Sequence, residues 1–247
     1  MKDNRSFSRI FHKTEGFEVI TENLIQIQKT VNTLLEKHRY ETQRDFQLIA
    51  VTKNHSVEAM REAIDNGVTV IGENRVQEAM QKSTILERPV KWHLIGHLQT
   101  NKVKQAVALF DLIHSVDSKK LAAEIDRVAG MQDKLQEILL QINLSREESK
   151  FGIYYEELTD ALSFIATLKN VRLCGLMTIA PHFSDPEEVR PIFKKMYEIF
   201  TGLQEQRLDY ADIKWLSMGM SNDYKIAIEE GANMVRIGTG IFGQRQY

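Results

Sequence analysis

The stretch Phe46–Gly72, FQLIAVTKNHSVEAMREAIDNGVTVIG, decides how the chain is built. Phe46–Thr52 is a short apolar run rich in β-formers, residues 56–66 carry a helical pattern, and Gly67 is a stop signal before a second β-rich run at Val68–Gly72. Strand, helix and strand in so short a span read as a crossover unit with parallel strands. The same unit recurs downstream. Further β-rich runs cover Val90–Ile95, Leu112–Val116, Leu135–Asn143, Val171–Ile179, Ile213–Met218 and Met234–Ile237. Helical patterns lie near 74–86, 101–109, 118–130, 155–169, 186–207 and 222–230, with Ser118, Asp185 and Ser221 as start signals and Gly231 as a stop. Eight such units in 247 residues predict an α/β fold, a single (β/α)8 TIM barrel. A doubly wound open sheet is the competitor.

Upstream, Val19, Ile20, Leu24, Ile27, Val31, Leu34 and Leu35 recur at helical spacing and predict an extra N-terminal helix from Phe17 to about Tyr40. Residues 1–16 have little apolar periodicity and read as a flexible N-terminus. No linker-like segment divides the rest, so residues 17–247 are read as one domain. A formal net charge of −2 gives no broad field for a polyanion, so neither nucleic acid nor an anionic membrane is an expected partner. No apolar run approaches the ~20 residues of a membrane span, and no leader-like core is present. The lone Cys174 rules out an intrachain disulfide and reads as a small core residue. A cytoplasmic protein is expected.

The residues with chemical interest cluster at the C-terminal ends of the predicted strands: Lys53, Glu73-Asn74, Gly96, Asn143, Met177, Gly219-Met-Ser221 and Gly238-Thr239. In a barrel these ends share one face, where active sites are built. A lysine ending a buried strand either begins a solvated loop or offers the neutral amine that Schiff-base chemistry requires. Leu216-Ser-Met-Gly-Met-Ser221 and Val235-Arg-Ile-Gly-Thr-Gly-Ile-Phe-Gly243 supply small residues in the two loops that hold phosphate in many barrels; read blandly, Ser221 is a helix cap and the glycines make turns. Arg236 alternates with Val235 and Ile237, which aims it into the barrel toward a pyridine nitrogen, a phosphate or a carboxylate such as Glu73. His93 reads as a hydrogen-bonded core residue and His97 as the border of a site mouth. Neither His-Glu-x-x-His nor paired cysteines occur, so no metal site is expected.

Several motifs together resemble a known family. Ala50-Val-Thr-Lys53, Gly72-Glu-Asn-Arg-Val-Gln-Glu78 and Trp92-His-Leu-Ile-Gly-His-Leu-Gln-Thr-Asn-Lys102 are similar to the pyridoxal 5′-phosphate (PLP) homeostasis proteins, relatives of the alanine racemase N-terminal barrel domain. The resemblance continues through Gln141-Ile-Asn143, Glu148-Ser-Lys-Phe-Gly152, Gly175-Leu-Met-Thr-Ile179, Leu216–Ser221, Val235-Arg-Ile-Gly-Thr239 and Ile241-Phe-Gly243. It implies that Lys53 carries PLP as an aldimine, that Ser221, Gly238 and Thr239 contact the phosphate, and that Arg236 faces the pyridine nitrogen. It also places Asn74 beside the ring and Met218 in the pocket wall. Asn54-His-Ser stands where the family often has Thr-Lys-Pro, which puts any role of a second lysine in doubt.

The implied function is intracellular PLP (vitamin B6) homeostasis. The chain buffers the cofactor or delivers it to apo PLP-dependent enzymes, with indirect effects on amino-acid metabolism and no robust catalysis, as a monomer. An arginine at the ring nitrogen disfavours a pyridinium and weakens the electron-sink action of PLP. The chain also ends four residues after Gly243, leaving no room for the second domain that gives racemases a tyrosine base. One alternative is a PLP-dependent amino-acid racemase or other PLP enzyme using His93 or Tyr224 as base. Another is a barrel enzyme for a phosphorylated metabolite, with Lys53 as counter-ion only.

Overall fold

The computed structural model describes residues 5–38, 45–147, 150–206 and 208–244, without the side chains of residues 5–18. Eight strands close into a barrel in chain order: β1 (Gln47–Val51), β2 (Val70–Glu73), β3 (Lys91–Leu94), β4 (Leu112–Val116), β5 (Gln136–Gln141), β6 (Val171–Met177), β7 (Ala211–Met220) and β8 (Met234–Ile237). All pairs are parallel, and β1 closes on β8 with Ile49 opposite Arg236. The barrel, not the open sheet, is the fold.

Helix α1 (Arg5–His38) precedes the barrel, and α2 (Val57–Asp65), α3 (Val76–Ser83), α4 (Val103–Leu109), α5 (Lys119–Met131), α6 (Leu158–Ile165), α7 (Arg190–Glu205), α8 (Tyr224–Glu229) and α9 (Thr239–Phe242) follow the strands. Of the segment read as flexible, residues 1–4 lie outside the described residues and the backbone of residues 5–16 is helical. Tyr40, the expected end of that helix, also lies outside them. Ser118 caps α5 by accepting from the Leu121 amide, and Asp185 caps a 3-10 turn that leads into α7. Ser221 does not cap: α8 starts at Tyr224, and the Ser221 hydroxyl is engaged elsewhere.

Alternation along the strands splits the core into two layers. Ile49, Val70, Leu112, Leu139, Cys174, Met177 and Met234 fill the barrel interior. Their neighbours, including Ala50, Ile71, Ile113 and Val235, pack outward against the helices with Phe110, Phe193 and Phe200. Each large side chain buried this way contributes ~2 kcal/mol of apolar transfer. The Cys174 thiol is fully buried and pushed up to about 12 by desolvation, so it is a packing residue. Gly175 adopts a φ of 147°, and a Cβ there would overlap the Trp215 carbonyl, so only glycine lets β6 and β7 approach this closely. α1 lays Ile20, Leu24, Ile27 and Val31 against the barrel beside α2, α8 and α9. Among the described residues no helix is long and apolar enough to cross a membrane.

Candidate cofactor site

A cleft of about 430 Å³ opens at the C-terminal ends of the strands. Six of the residues singled out from sequence line it: Lys53, Asn74, Ser221, Arg236, Gly238 and Thr239. Met218 does not. It is fully buried in the outer layer, because the adjacent Ser217 points inward and successive side chains alternate faces; Met220 lines the cleft instead.

Lys53 is half-buried just beyond β1, and its backbone is held by a charged cluster below. Thr52 Oγ1 donates to Glu73 Oε1 (2.6 Å), and Lys82 Nζ donates to Glu73 Oε1 (2.8 Å), to Glu78 Oε1 (2.7 Å) and to the Thr52 carbonyl (2.7 Å). Glu78 in turn accepts from the amide of Asn54 (2.6 Å), which sits in the left-handed region. Both residues flanking Lys53 are therefore tied to Lys82 or its partners. Burial pushes the Glu73 carboxyl above its ordinary value, even with Lys82 and Thr52 bonded to it. Glu73 is thus spent on Lys82, and the suggested pairing with Arg236 does not form.

Asn74 is set by β2 and by Gly96 after β3. A Cβ on Gly96 would come within 2.7 Å of the Asn74 Cα, so glycine here lets the two strand ends converge. Ser221 Oγ accepts from the amides of Gly238 (3.3 Å) and Gly240 (3.1 Å), joining the loops after β7 and β8. With two acceptor positions used, the hydroxyl proton remains to donate to an anion. His55 stacks on Phe242 at 4.5 Å and braces the loop after β1 against α9.

Arg236 enters from β8 and is almost completely buried. Nη1 donates to Ser217 Oγ (2.7 Å) and Nη2 to the Thr178 carbonyl (2.9 Å), so neutral oxygens hold it. Desolvation pulls the guanidinium down to about 10, with Asp223 opposing, and it stays protonated at neutral pH. The arrangement offers an amine, a cation inside the barrel and a hydroxyl-and-amide rim on one side of a single cleft.

The sequence matches the family described as Alanine racemase, N-terminal domain, over residues 23–246. It is 44% identical over 202 residues to the pyridoxal phosphate homeostasis protein of Aquifex aeolicus, covering 81% of this chain and 88% of that one. The chain belongs to the pyridoxal phosphate homeostasis protein family. The Escherichia coli (strain K12) member is 35% identical over 232 residues, 92% of this chain and 97% of its own. The structure of PipY from Synechococcus elongatus PCC7942 with PLP bound superposes with a TM-score of 0.79 at 38% identity, covering 91% of this chain and all of that one. An alanine racemase of Clostridium difficile shares the fold at a TM-score of 0.70 and 17% identity, over 93% of this chain and 60% of that one.

Within this family framework the structure adds groups that spacing did not single out. His182 and Asp223 also line the cleft, and Asp223 Oδ1 accepts from the Met220 amide. Lys82 carried no signal beyond its place in a helix. Asn143 holds its own loop, donating to the carbonyls of Glu147 and Lys150; Glu148 and Ser149 of that motif lie outside the described residues. His97 bonds Asp117 at 3.0 Å, stacks on Phe151, and borders a smaller neighbouring cavity shared with Asn74 and Lys102. His93 lies inside the barrel against His114, and Tyr224 is buried on α8, which packs against α1. Among the described residues no group of three or more metal-ligating side chains occurs.

Proposed function

We propose that this chain binds PLP in the cleft, holds it covalently on Lys53, and buffers or delivers it inside the cell without robust turnover. The observation that carries this is the buried Arg236, a cation hydrogen-bonded to neutral oxygens and lining the same cleft as Lys53 and the Ser221 rim. Asn74 flanks the ring, and Ser221, Gly238 and Thr239 take the phosphate. Once bound, PLP offers an aldehyde. The deprotonated Lys53 amine adds to that carbon, and the carbonyl oxygen leaves as water. Arg236, a donor without acceptor capacity, keeps the ring nitrogen unprotonated, so a bound amino acid gains little carbanion stabilisation. The names of the related proteins and the PLP in the PipY structure support the reading.

Racemisation needs a base on each face of the substrate carbon. The two residues considered for this from sequence do not line the cleft, His93 being inside the barrel and Tyr224 turned to α1. Storage therefore fits the geometry better than turnover. We place the protein in the cytoplasm as a monomer, with apo PLP-dependent enzymes as recipients; light scattering on the purified chain checks the monomer.

The test is borohydride reduction of PLP-loaded protein followed by peptide mass spectrometry. The expected adduct is a phosphopyridoxyl group on Lys53, absent from Lys53→Ala. A loaded wild type with Lys53 unmodified overturns the covalent assignment. Transfer to an apo-enzyme no faster than from free PLP overturns delivery.

A further inference from the structure

Below Arg236 a line of polar side chains crosses the barrel interior. Arg236 Nη1 donates to Ser217 Oγ at 2.7 Å, Ser217 Oγ lies 3.1 Å from His114 Nδ1, and His114 Nε2 lies 3.1 Å from His93 Nδ1. Ser217 and His114 are fully inaccessible to solvent and His93 nearly so. Interior positions at this level of a barrel are normally filled by apolar side chains, as Val70, Leu112 and Leu139 fill the layer beneath. Three consecutive polar groups there need a reason.

Proton bookkeeping orients the chain. With the Ser217 oxygen accepting from Arg236, we assign its own proton to His114 Nδ1, the arrangement in which every proton along the line finds its acceptor within the line. His114 then carries its proton on Nε2 and donates to His93 Nδ1, leaving His93 protonated on Nε2. Every bond is satisfied with both imidazoles neutral. Burial supports this, holding His93 down to about 3 and His114 well below the ordinary histidine value. A carboxylate in the place of Ser217 would neutralise the guanidinium and turn it inward. A neutral hydroxyl, itself fixed by His114, fixes the direction of Arg236 without pairing its charge directly.

We propose that Ser217 and His114, braced by His93, are positioning residues that aim Arg236, bonded to no carboxylate, at the ring nitrogen of the bound cofactor. The proposal rests on the PLP reading above. The other titratable or charged groups around the guanidinium are Lys53, His182 and Asp223 at the cleft, and Asp223 is the carboxylate whose field reaches it.

The experiment uses full-length Ser217→Ala, His114→Leu and His114→Asn, each loaded with PLP. Absorbance of the bound cofactor is followed from pH 5 to 10, PLP affinity is titrated, and melting of the cofactor-free proteins is recorded. Ser217→Ala and His114→Leu are expected to weaken PLP binding about tenfold, in keeping with a lost bond to a charged group. They are also expected to shift the pH midpoint of the cofactor band, while borohydride still labels Lys53. His114→Asn keeps an acceptor for the serine proton and restores most of both properties. Wild-type affinity and an unchanged pH profile in Ser217→Ala overturn the proposal. So does a His114→Asn variant as impaired as His114→Leu, since packing alone would then explain both. If the two harsher variants fail to fold, His114→Asn against His93→Leu decides the matter: a shifted midpoint only in the latter supports the chain, and no shift in either overturns it. Failure of the wild type to bind PLP would sink the PLP reading itself, a separate outcome.

Discussion

Lys82 shows how much one side chain can carry without any signal in its spacing. It reaches Glu73, Glu78 and the Thr52 carbonyl, and through them sets the backbone on both sides of Lys53. Removing the ammonium leaves Glu73 fully buried near Glu78 with its charge unpaired. Lys82→Met is therefore expected to cost about 3 kcal/mol in urea unfolding, and Lys82→Met with Glu73→Gln distinctly less, because the double variant removes the stranded charge. Equal costs for single and double variants would contradict this account. Arg236 makes a second case. Arg236→Met deletes the buried cation and its bonds to Ser217 and Thr178, and the expectation is weaker PLP binding by more than tenfold with Lys53 still able to react. Titration of PLP against reduced, mapped protein separates the two effects.

At the scale of elements, the cleft depends on how closely strand ends approach. Gly96 after β3 lies against the Asn74 backbone after β2, and Gly175 in β6 lies against the Trp215 carbonyl in β7. Gly175→Ala places a Cβ into backbone at a φ that alanine rarely adopts, with an expected loss of about 3 kcal/mol or more, read from the midpoint of denaturant unfolding. Gly96→Ala is expected to act locally. It displaces Asn74 and lowers PLP affinity, and the melting temperature falls less than in Gly175→Ala. The Ser221 hydroxyl is the counterpart on the other side of the mouth, where it ties two loops together instead of capping α8. A cap would have used the same residue type at the same place in the sequence, so only its partners distinguish the two.

For the whole molecule the buried histidines set a pH dependence. Unfolded, His93 and His114 take up protons near 6.5; folded, His93 does so only at about 3 and His114 well below the ordinary value. The unfolded state therefore binds more protons as pH falls below about 6.5, and stability drops toward acid by up to ~1.4 kcal/mol per pH unit for each group. Glu73 and Asp223 work in the opposite sense, since burial raises both and favours the folded state below their ordinary values. The clean measurement is a difference. Between pH 4 and 6, His114→Asn should lose up to one proton's worth of slope relative to the wild type. Identical slopes would mean that His114 is not held neutral.

The order of elements followed from the sequence alone. Strand and helix alternate at local spacing, period 2 gives way to period 3.6, and β4 and β8 have the expected bounds because hydrophobic periodicity is a local property. Lys53, Asn74, Ser221, Arg236, Gly238 and Thr239 were legible for the same reason, since each ends a recognisable strand and parallel strands bring such ends to one face. Met218 misled because the side-chain direction at the end of β7 depends on which face Ser217 takes, and that is set by Arg236 on the neighbouring strand β8. What only the tertiary structure decided is pairing. Glu73 goes to Lys82 and not to Arg236, and His93 and His114 meet Ser217 from three different strands. The first joins a strand to the helix that follows it, and the contact of His114 with Ser217 joins residues far apart in the chain, formed only when closure of the barrel brings buried polar groups within reach of the partners that burial obliges them to find.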